Sequence, residues 1–300
     1  MNNGKHAYLI MAHNEFELLH VLISMLDDAR NDIYLHVDKK AKDFVPSDFS
    51  TKHAHLFILN KRLDVRWGHF SQIKLEMLLF ETAAMKGPYA YYHLLSGVDL
   101  PIKSQDYIHD FFAKHQGKEF VGFWHDKDAQ AYDFICKYHF FMNYERNVNR
   151  YLQIIMSKIR KALTSLLFSL FGYRKINYHV KKGFNWVSIT HPCVQYIISK
   201  KKHIFHRYRF CFTPDEIYKH SILWNSEFVS HIYEVESVPE LSSMRCIDWK
   251  RGEPYAWGIE DSDLLSHSPY LFARKFSTKK NREIIKFVYE FVMQQELNKL

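Results

Sequence analysis

Residues 91–104 read YYHLLSGVDLPIKS, an apolar run followed at once by a turn that contains Gly and Asp. The run predicts a buried β-strand, and the turn places the Ser96 hydroxyl and the Asp99 carboxylate at its carboxyl end. Ligands of open α/β sheets gather at the carboxyl ends of the strands, so Ser96, Gly97 and Asp99 are candidate substrate contacts. The alternative is a tight turn before a helix capped by Ser104, because Gly, Asp and Pro often end strands for backbone reasons alone.

The sequence around this segment alternates strand and helix patterns. Strands are predicted at 7–12, 33–37, 56–59, 91–95, 120–124 and 183–189. Helices are predicted at 16–26, from near His69 to Gly87-Pro88, at 106–115, after His191-Pro192, after Thr213-Pro214, and at 281–300, where a closing surface helix is expected. This alternation predicts an α/β fold with a Rossmann-like, mostly parallel central sheet flanked by helices.

The composition favours one folded body. The 300 residues are 47% hydrophobic and contain only 10 Gly and 8 Pro, so a large core can form and no flexible linker is evident. We expect a single domain over residues 1–300, with a nucleotide-binding part at about 1–125 and an acceptor-binding and catalytic part at about 126–300.

The charge and the cysteines restrict the partners and the compartment. A net charge of +8 favours anionic partners, which include nucleoside diphosphates, nucleic acids and acidic membrane surfaces. The four cysteines form no CxxC pair, no secretory leader precedes them, and no uncharged run reaches the ~20 residues of a membrane-spanning helix. We therefore expect a cytoplasmic protein with reduced thiols.

Residues 151–171 differ from the rest of the chain because they form one long, basic and amphipathic helix pattern. Such a helix can lie in a membrane interface, where cations near an anionic leaflet add to the affinity. Because its apolar face is broad, we expect it to pack on the core of the protein instead. Peripheral contact with a membrane is the alternative.

Further short motifs recur on both sides of 91–104. They are His36-Val37-Asp38, Trp67-Gly68-His69-Phe70-Ser71, Thr213-Pro214-Asp215-Glu216, Arg245-Cys246-Ile247-Asp248-Trp249 and Leu271-Phe272-Ala273-Arg274-Lys275-Phe276. In this order, the set resembles the core-2/I-branching glycosyltransferase family, which contains β-1,6-N-acetylglucosaminyltransferases and peptide O-xylosyltransferases. The resemblance extends from Tyr8 to Phe276 and depends on the whole set of motifs.

The resemblance implies a GT-A-like fold and an inverting, metal-independent transfer of a sugar, with GlcNAc or xylose favoured. The donor would be a UDP-sugar and the acceptor a hydroxyl of a saccharide or a lipid-linked glycan. Animal members of the family carry a membrane anchor and disulfides. Without either feature, we expect a bacterial enzyme of surface polysaccharide synthesis, cytoplasmic or peripheral at the inner face of the membrane.

Glu216 is the candidate catalytic base, since sugar transfer requires a carboxylate that deprotonates the acceptor hydroxyl. The spacing Thr213-x-x-Glu216 also fits a capping box, in which both side chains bond backbone N–H groups at a helix start. The resemblance favours the base, because Pro-Asp-Glu looks like the base motif of the family. Asp215 of the same motif is a candidate substrate contact.

The departing diphosphate requires either a divalent metal or fixed cations. Asp-x-Asp occurs at 126–128 and 261–263, where surface charge is the ordinary explanation, so we expect no metal and no other cofactor. Lys275 matches the diphosphate-binding lysine of the family, although a solvated basic pair with Arg274 is the alternative. Arg245 and Arg251 both lie upstream as candidates for its arginine partner, and Arg245 is preferred, although the sequence does not decide between them.

Two motifs are candidate contacts for the UDP moiety. Asp38 ends the second strand, where nucleotide-binding α/β folds place an acid for ribose or base contact, although a turn aspartate would look the same. Trp67, Gly68 and Ser71 resemble the Trp-Gly-x-x-Ser motif near the donor pocket of the family, the alternative being a core tryptophan before a helix cap. The first strand-to-helix turn lacks Gly-x-Gly-x-x-Gly, which disfavours a nicotinamide dehydrogenase.

Trp186 and Trp249 are candidate stacking faces for the acceptor sugar, although most tryptophans belong to the core. The neighbouring Asn185 stands where some relatives carry an acid, and an amide cannot act as the base. A different class of function, a non-catalytic basic nucleic-acid-binding protein, is less consistent with the sequence. Its cations are dispersed apart from 200–202 and 279–280, and no RNP, helix-turn-helix or zinc pattern occurs. We therefore expect an enzyme without a nucleic-acid partner.

Overall fold

The computed structural model describes residues 4–144 and 149–297, and helices and strands alternate along this part of the chain. Its strands are β1 (His6–Ala12), β2 (Asn31–Val37), β3 (His55–Ile58), β4 (Tyr91–Ser96), β5 (Asp99–Pro101), β6 (Ser188–Thr190), β7 (Arg245–Ile247) and β8 (Phe272–Arg274). Its helices are α1 (Phe16–Met25), α2 (Ser71–Ala84), α3 (Gln105–Lys114), α4 (Asp128–Cys136), α5 (Arg150–Phe171), α6 (His191–Ser199), α7 (Lys201–Tyr208), α8 (Tyr218–Trp224), α9 (Pro239–Ser243), α10 (Ser262–His267) and α11 (Arg282–Leu297). Short 3-10 turns lie at Pro46–Asp48, Met142–Tyr144, Pro214–Glu216, Glu227–His231 and Ile259–Asp261.

The main sheet has five strands in the order β3-β2-β1-β4-β6. Strands β1 to β4 run parallel, and β6 closes one edge antiparallel to β4. The mostly parallel sheet predicted from the sequence is therefore confirmed. In register, Ala12 lies beside Val37 and Met11 beside Ser96, so the chain leaves β1, β2 and β4 at the same edge.

Successive residues of the central strands enter two different hydrophobic cores. In β1, Tyr8 and Ile10 belong to one core, which includes side chains of α1, α3 and α11. Ala7 and Leu9 belong to the other, which includes side chains of α2, α6 and α8. Since side chains alternate between the faces of a sheet, both faces of this one are covered by helices, as parallel sheets require. The four cysteines are buried as free thiols.

A second, three-stranded sheet that the sequence did not predict lies at the carboxyl edge of the first. Its order is β5-β8-β7, and Asp99 of β5 pairs with Arg274 of β8. Because β5 directly follows the Ser96–Asp99 turn, this sheet brings the C-terminal part of the chain to the end of β4. The helix capped by Ser104 is also present, since its side chain accepts a hydrogen bond from Tyr107 N.

Two predicted strands are shorter in the structure. Residues 120–124 make only isolated bridges, Phe120 with Ser188 and Phe123 with Gly183, while 183–189 is reduced to β6. The two bridges are three residues apart on one segment and five apart on the other, so they do not share one register. Gly122 lies between them, where a Cβ would come within 2.4 Å of the carbonyl oxygen of Pro239. The closing helix at 281–300 is confirmed as α11, and residues 298–300 lie outside the described part.

The expectation that residues 151–171 pack on the core is wrong. The segment forms α5 as predicted, but no residue of this fully described helix is buried. Its broad apolar pattern therefore faces outward rather than inward. Among residues 4–144 and 149–297, no helix combines the length and the hydropathy that crossing a membrane requires.

Candidate functional site

Ser96, Asp99 and Arg274 form a tight cluster at the carboxyl end of β4. Arg274 Nη1 lies 2.6 Å from Asp99 Oδ1 and also contacts Ser96 Oγ. Ser96 donates its backbone N–H to Asp99 Oδ2 and its hydroxyl to Oδ1, each at 2.8 Å. Within the predicted turn, the Asp99 carboxylate therefore bonds Ser96, and the Arg274 guanidinium compensates the buried charge of Asp99.

Gly97 and Trp186 complete the surroundings of this cluster. A Cβ on Gly97 would lie only 3.0 Å from Ala12 Cβ, so the turn packs against the end of β1 in a way that a larger residue would disturb. The Arg274 guanidinium lies 4.3 Å from the centre of the Trp186 ring, a cation–π contact. One side chain thus links the predicted substrate residues Ser96, Asp99 and Trp186.

Glu216 ends the 3-10 turn Pro214–Glu216, and its carboxylate forms an ion pair with Lys182. Lys182 Nζ lies 3.1 Å from Glu216 Oε2, and the Glu216 side chain is 25% exposed whereas that of Lys182 is 8% exposed. The capping box is not formed. Thr213 has a φ of 40° and makes no side-chain cap bond, and its buried hydroxyl has no hydrogen-bond partner. Glu216 is therefore a partly accessible carboxylate beside a buried ammonium.

A buried polar network fixes the Pro-Asp-Glu turn. Gln72 Nε2 donates to Asp215 Oδ2 at 2.9 Å, and Lys219 Nζ donates to the Asp215 carbonyl at 3.2 Å. Lys219 also pairs with Glu76 of α2 and donates to Asn185 Oδ1. Burial and then the neighbouring carboxylates raise the pKa of Asp215, and burial raises that of Glu76. The amide of Asn185 serves this network as an acceptor.

Trp67 and Gly68 lie beside this turn, and Ser71 follows them at the start of α2. Gly68 has a φ of +66°, accepts a hydrogen bond from Thr213 N at 3.1 Å and donates to Gln72 Oε1 at 2.7 Å. Gln72 therefore joins Gly68 to the Asp215 carboxylate. Ser71 Oγ accepts from Arg66 N and holds the start of α2. Trp67 is partly exposed and packs edge-on against Phe212.

Asp38 is held in a turn at the end of β2. Its carboxylate accepts hydrogen bonds from Lys40 N, Lys40 Nζ and Val65 N, so the structure contains the turn aspartate that the sequence offered as the alternative. His13, at the end of β1, lies in the same electrostatic environment. Partial desolvation lowers the pKa of His13, Asp38 raises it, and Arg274 lowers it further, as do Lys40 and Lys275. These charges therefore lie near one another at the carboxyl edge.

The cations predicted for the diphosphate occupy different positions. Lys275 follows β8, where its backbone bonds Tyr255 and Trp257. Arg251 stacks on the Tyr255 ring at 4.1 Å and pairs with Asp248 and Asp261, so it lies on the segment that binds Lys275. The structure does not place Arg245 with them.

Arg245 belongs to the interior of the protein. Its side chain is buried and donates to Ser188 Oγ at 2.8 Å and to the carbonyls of Val187 and Ser243. Burial lowers the pKa of Arg245 to about 10, against an opposing effect of Asp99. In this position the guanidinium supports β6 and β8, and it does not reach a diphosphate at the surface.

Trp249 lies in an aromatic group next to the candidate base. It packs against Trp124 at 5.9 Å and Phe184 at 5.7 Å between ring centres, and it is partly exposed. Lys182, the partner of Glu216, lies 5.4 Å from the centre of the Trp124 ring. A sugar hydroxyl near Glu216 would thus have apolar ring faces close by.

Sequence reasoning did not place Arg274 or Lys182 among the functional residues. Arg274 adjoins Lys275 in the same motif, and its register opposite Asp99 follows only from the β5–β8 pairing. Lys182 immediately precedes Gly183-Phe184-Asn185-Trp186, in which Trp186 was the candidate contact. A search for cations beside candidate carboxylates would have found neither, because both pairs are distant in the chain.

One acid of each Asp-x-Asp pair forms an ion pair with a cation of the protein itself. Asp128 pairs with Lys181, and Asp261 pairs with Arg251 while accepting a hydrogen bond from Gly258 N. Within 4–144 and 149–297, no three His, Cys, Asp or Glu side chains are grouped closely enough to hold a metal ion.

A Rossmann-like sheet with charged groups gathered at its carboxyl edge is the architecture of GT-A-like glycosyltransferases. A family model described as Core-2/I-Branching enzyme matches residues 6–263. The chain belongs to this family, as the order of its motifs indicated.

Xylosyltransferases of animals are similar to the chain over most of its length. Xylosyltransferase oxt of Drosophila pseudoobscura pseudoobscura is 22% identical over 291 residues, which cover 89% of this chain and 31% of the relative. The protein of the same name from Drosophila melanogaster is also 22% identical over 291 residues. A xylosyltransferase of Ciona intestinalis is 20% identical over 299 residues, covering 93% of this chain and 33% of the relative. The chain spans about a third of the length of these relatives.

Proposed function

We propose that the protein is an inverting glycosyltransferase that moves a sugar from a UDP-sugar to a hydroxyl of a saccharide or lipid-linked glycan. The observation that carries this proposal is the position of Glu216, partly exposed, paired with Lys182 and next to the aromatic group of Trp124 and Trp249. Membership in the family supports the reaction class, and the xylosyltransferase relatives support xylose as a donor sugar beside GlcNAc.

Glu216 is a better base than its neighbour Asp215. Asp215 is buried, its pKa is raised, and Gln72 holds one of its oxygens. Glu216 is accessible, and its contact with Lys182 fixes the position of its side chain, as a general base requires. We therefore assign the proton transfer to Glu216 and the positioning of the turn to Asp215.

The reaction then proceeds in one displacement. The acceptor hydroxyl gives its proton to Glu216, and its oxygen forms a bond to the anomeric carbon of the donor. The bond between that carbon and the diphosphate oxygen breaks, and the electron pair leaves with UDP. Attack from the side opposite to the leaving group inverts the configuration.

Fixed cations, rather than a metal, neutralise the departing diphosphate in this proposal. Lys275 and Arg274 both lie close enough to His13 to lower its pKa, and Arg251 lies on the segment that binds the Lys275 backbone. Preorganised cations stabilise a developing charge without a bound ion. The ion pairs of Asp128 with Lys181 and of Asp261 with Arg251 support this assignment.

The test is Glu216→Gln, assayed for transfer and for slow hydrolysis across a panel of UDP-sugars. Loss of a general base costs about 10²–10⁴-fold in rate, so we expect at least a hundredfold loss of turnover with UDP binding unchanged in calorimetry. The exposed Glu227→Gln is the matched control and keeps full activity. Turnover of Glu216→Gln equal to that of the control would place the base elsewhere.

A further inference from the structure

Helix α5 is a complete helix with both ends closed by local side chains and backbone. Asn149 accepts a hydrogen bond from Tyr151 N at its start, and Gly172, with a φ of 66°, ends it by donating to Phe168 O. These are the ordinary signals that begin and end a helix, so α5 does not depend on burial to define its limits. Its 22 residues are long for a helix without a buried residue.

One side of α5 contacts the rest of the protein. Thr164 Oγ1 donates to the Tyr138 carbonyl at 2.9 Å, and the Arg160 guanidinium lies over the Phe212 ring. The outward side carries a row of exposed aliphatic residues at spacings of three, four and seven. This row, which we call the α5 row, consists of Leu152, Ile155, Ile159, Leu166 and Leu170. The side chains of Ile155, Leu166 and Leu170 are 54%, 55% and 64% exposed.

Exposed apolar side chains in a continuous row of this length mark a surface that another apolar phase or partner covers. The charge of α5 indicates whether that surface is covered by a second copy of the chain or by a lipid bilayer. Residues 150–171 contain Arg150, Lys158, Arg160 and Lys161 and no Asp or Glu. A second copy of the chain would bring two sets of cations together without an anion, whereas an anionic lipid surface complements them.

The surroundings of α5 add to this positive charge. Residues 139–142 and 209–210, which adjoin the α5 contacts Tyr138 and Phe212, line a cavity of about 250 Å³. Lys74, Arg209 and His69 contribute to its walls, together with His139, whose ring nitrogens are buried without hydrogen-bond partners. Basic and neutral polar groups therefore extend from the helix into the adjoining surface.

We propose that α5 docks the protein on an anionic lipid bilayer. The helix lies in the plane of the interface, with the α5 row among the acyl chains and Lys158 and Lys161 at the level of the phosphates. The three cations between Lys158 and Lys161 prevent α5 from spanning the bilayer, in agreement with its hydropathy. Docking requires no step of sugar transfer and stands independently of the proposed activity.

The experiment is co-sedimentation of the full chain with vesicles. Vesicles of phosphatidylcholine mixed with phosphatidylglycerol should carry the protein down, and vesicles of phosphatidylcholine alone should not. High salt should release it, because surface charges are screened. Equal binding to both kinds of vesicle, or binding to neither, would overturn the proposal.

Variants of α5 separate the contribution of its cations to vesicle binding from that of its apolar side chains. Lys158→Gln with Lys161→Gln should weaken binding about 25-fold, since each cation contributes about 1 kcal/mol, or about fivefold. Ile155→Gln with Leu166→Gln should abolish binding while circular dichroism and turnover in solution stay unchanged. Matched controls are Lys279→Gln with Lys280→Gln, and Leu264→Gln, an exposed leucine on α10. Controls that lose as much binding as the α5 variants would contradict a site on α5.

Sedimentation velocity tests whether a second copy of the chain, rather than a bilayer, covers the α5 row. A monomer without lipid supports docking on a bilayer. A dimer that Ile155→Gln with Leu166→Gln converts to a monomer would show instead that a second copy covers the α5 row, and the bilayer proposal would be overturned.

Discussion

At the scale of single residues, Arg274 connects the largest number of predicted substrate contacts. Its guanidinium binds Asp99 and Ser96 and covers the ring of Trp186. Removing one partner of a buried ion pair leaves the other charge uncompensated, which costs more than the pair contributes when it is intact. Arg274 therefore stabilises the site as well as supplying charge to it.

Arg274→Ala should lower the free energy of unfolding by about 3 kcal/mol, because Asp99 is left as a buried charge. Chemical denaturation measures this value. Arg282→Ala is the matched control, since its pair with Glu17 is 67% and 58% exposed and should cost at most about 1 kcal/mol. Equal losses in the two variants would contradict a buried role for the Arg274–Asp99 pair.

The sequence offered candidate residues one at a time, without the residues that pair with them. Ser96 and Asp99 were candidates because they follow a predicted strand, and Glu216 was the candidate base because Pro-Asp-Glu resembles the base motif of the family. Arg274 lies 175 residues from Asp99, and Lys182 lies 34 residues from Glu216, so no local pattern links them. Arg245 was not distinguishable from a surface arginine, because its burial depends on the packing of β6 against β8.

At the scale of elements, segment 182–187 organises the site. Its Lys182 pairs with Glu216, and its Asn185 accepts a hydrogen bond from Lys219. Its Trp186 ring lies beneath Arg274. Gly183 sits at its start, where its N–H donates to the Glu216 carbonyl at 2.9 Å. The positions of several functional side chains therefore depend on one close backbone contact.

Gly183→Ala should be among the most damaging single substitutions in the chain. A Cβ here would lie 1.8 Å from the Gly122 carbonyl oxygen and 2.5 Å from His220 Nε2, so backbone must move. We expect a loss of more than about 3 kcal/mol in unfolding free energy, together with lower activity. Gly117→Ala, at a φ of +84° in open space, should cost only about 1–2 kcal/mol. A similar loss in both variants would argue against the contact.

Glu119 connects the 119–123 segment to the start of α6, where Thr190 donates to it from both backbone and hydroxyl. Burial raises the pKa of Glu119 from 4.5 to about 7, although hydrogen bonds from Thr190 lower it. The folded state therefore binds this proton more tightly than the unfolded state. Its contribution to stability is complete below the unfolded pKa and is lost as the pH rises through about 7.

Glu119→Gln should remove this pH dependence. The stability of the wild type relative to the variant should fall by roughly 3 kcal/mol between about pH 4 and pH 8. Unfolding curves at several pH values measure the difference, with the exposed Glu236→Gln as the control. Parallel pH profiles for the wild type and Glu119→Gln would contradict the raised pKa.

The fold of α2 and of the main sheet was predictable because hydrophobic periodicity specifies such elements locally. The apolar residues of α2 that recur at three and four, among them Ile73, Met77 and Phe80, are buried as the pattern indicated. Strands at 120–124 and 183–189 were overpredicted, since the two bridges between them do not share one register. The burial of α5 was also overpredicted, because an apolar face does not identify what covers it.

At the scale of the whole molecule, the chain has a net charge of +8. Three of its cations, Lys40, Arg274 and Lys275, act on His13 at the carboxyl edge of the main sheet. A general excess of positive charge attracts any polyanion, whereas a built site distinguishes among them. If the protein is a glycosyltransferase, UDP should stabilise its folded state. If it is a nucleic-acid-binding protein, an oligonucleotide should do so instead.

UDP should raise the melting temperature of the protein in the presence of EDTA. A ligand at a hundred times its dissociation constant stabilises the folded state by about 2.7 kcal/mol. Differential scanning fluorimetry with UDP, with an oligonucleotide and with no ligand measures the effect. Stabilisation by the oligonucleotide alone would favour the nucleic-acid-binding protein, and loss of the UDP effect on adding EDTA would contradict a diphosphate site built from side-chain cations.

The two outer strands of the main sheet are short, with four residues in β3 and three in β6. Each therefore offers few unpaired N–H and C=O groups to a strand of another molecule, and self-association of sheets edge to edge has little template on which to start.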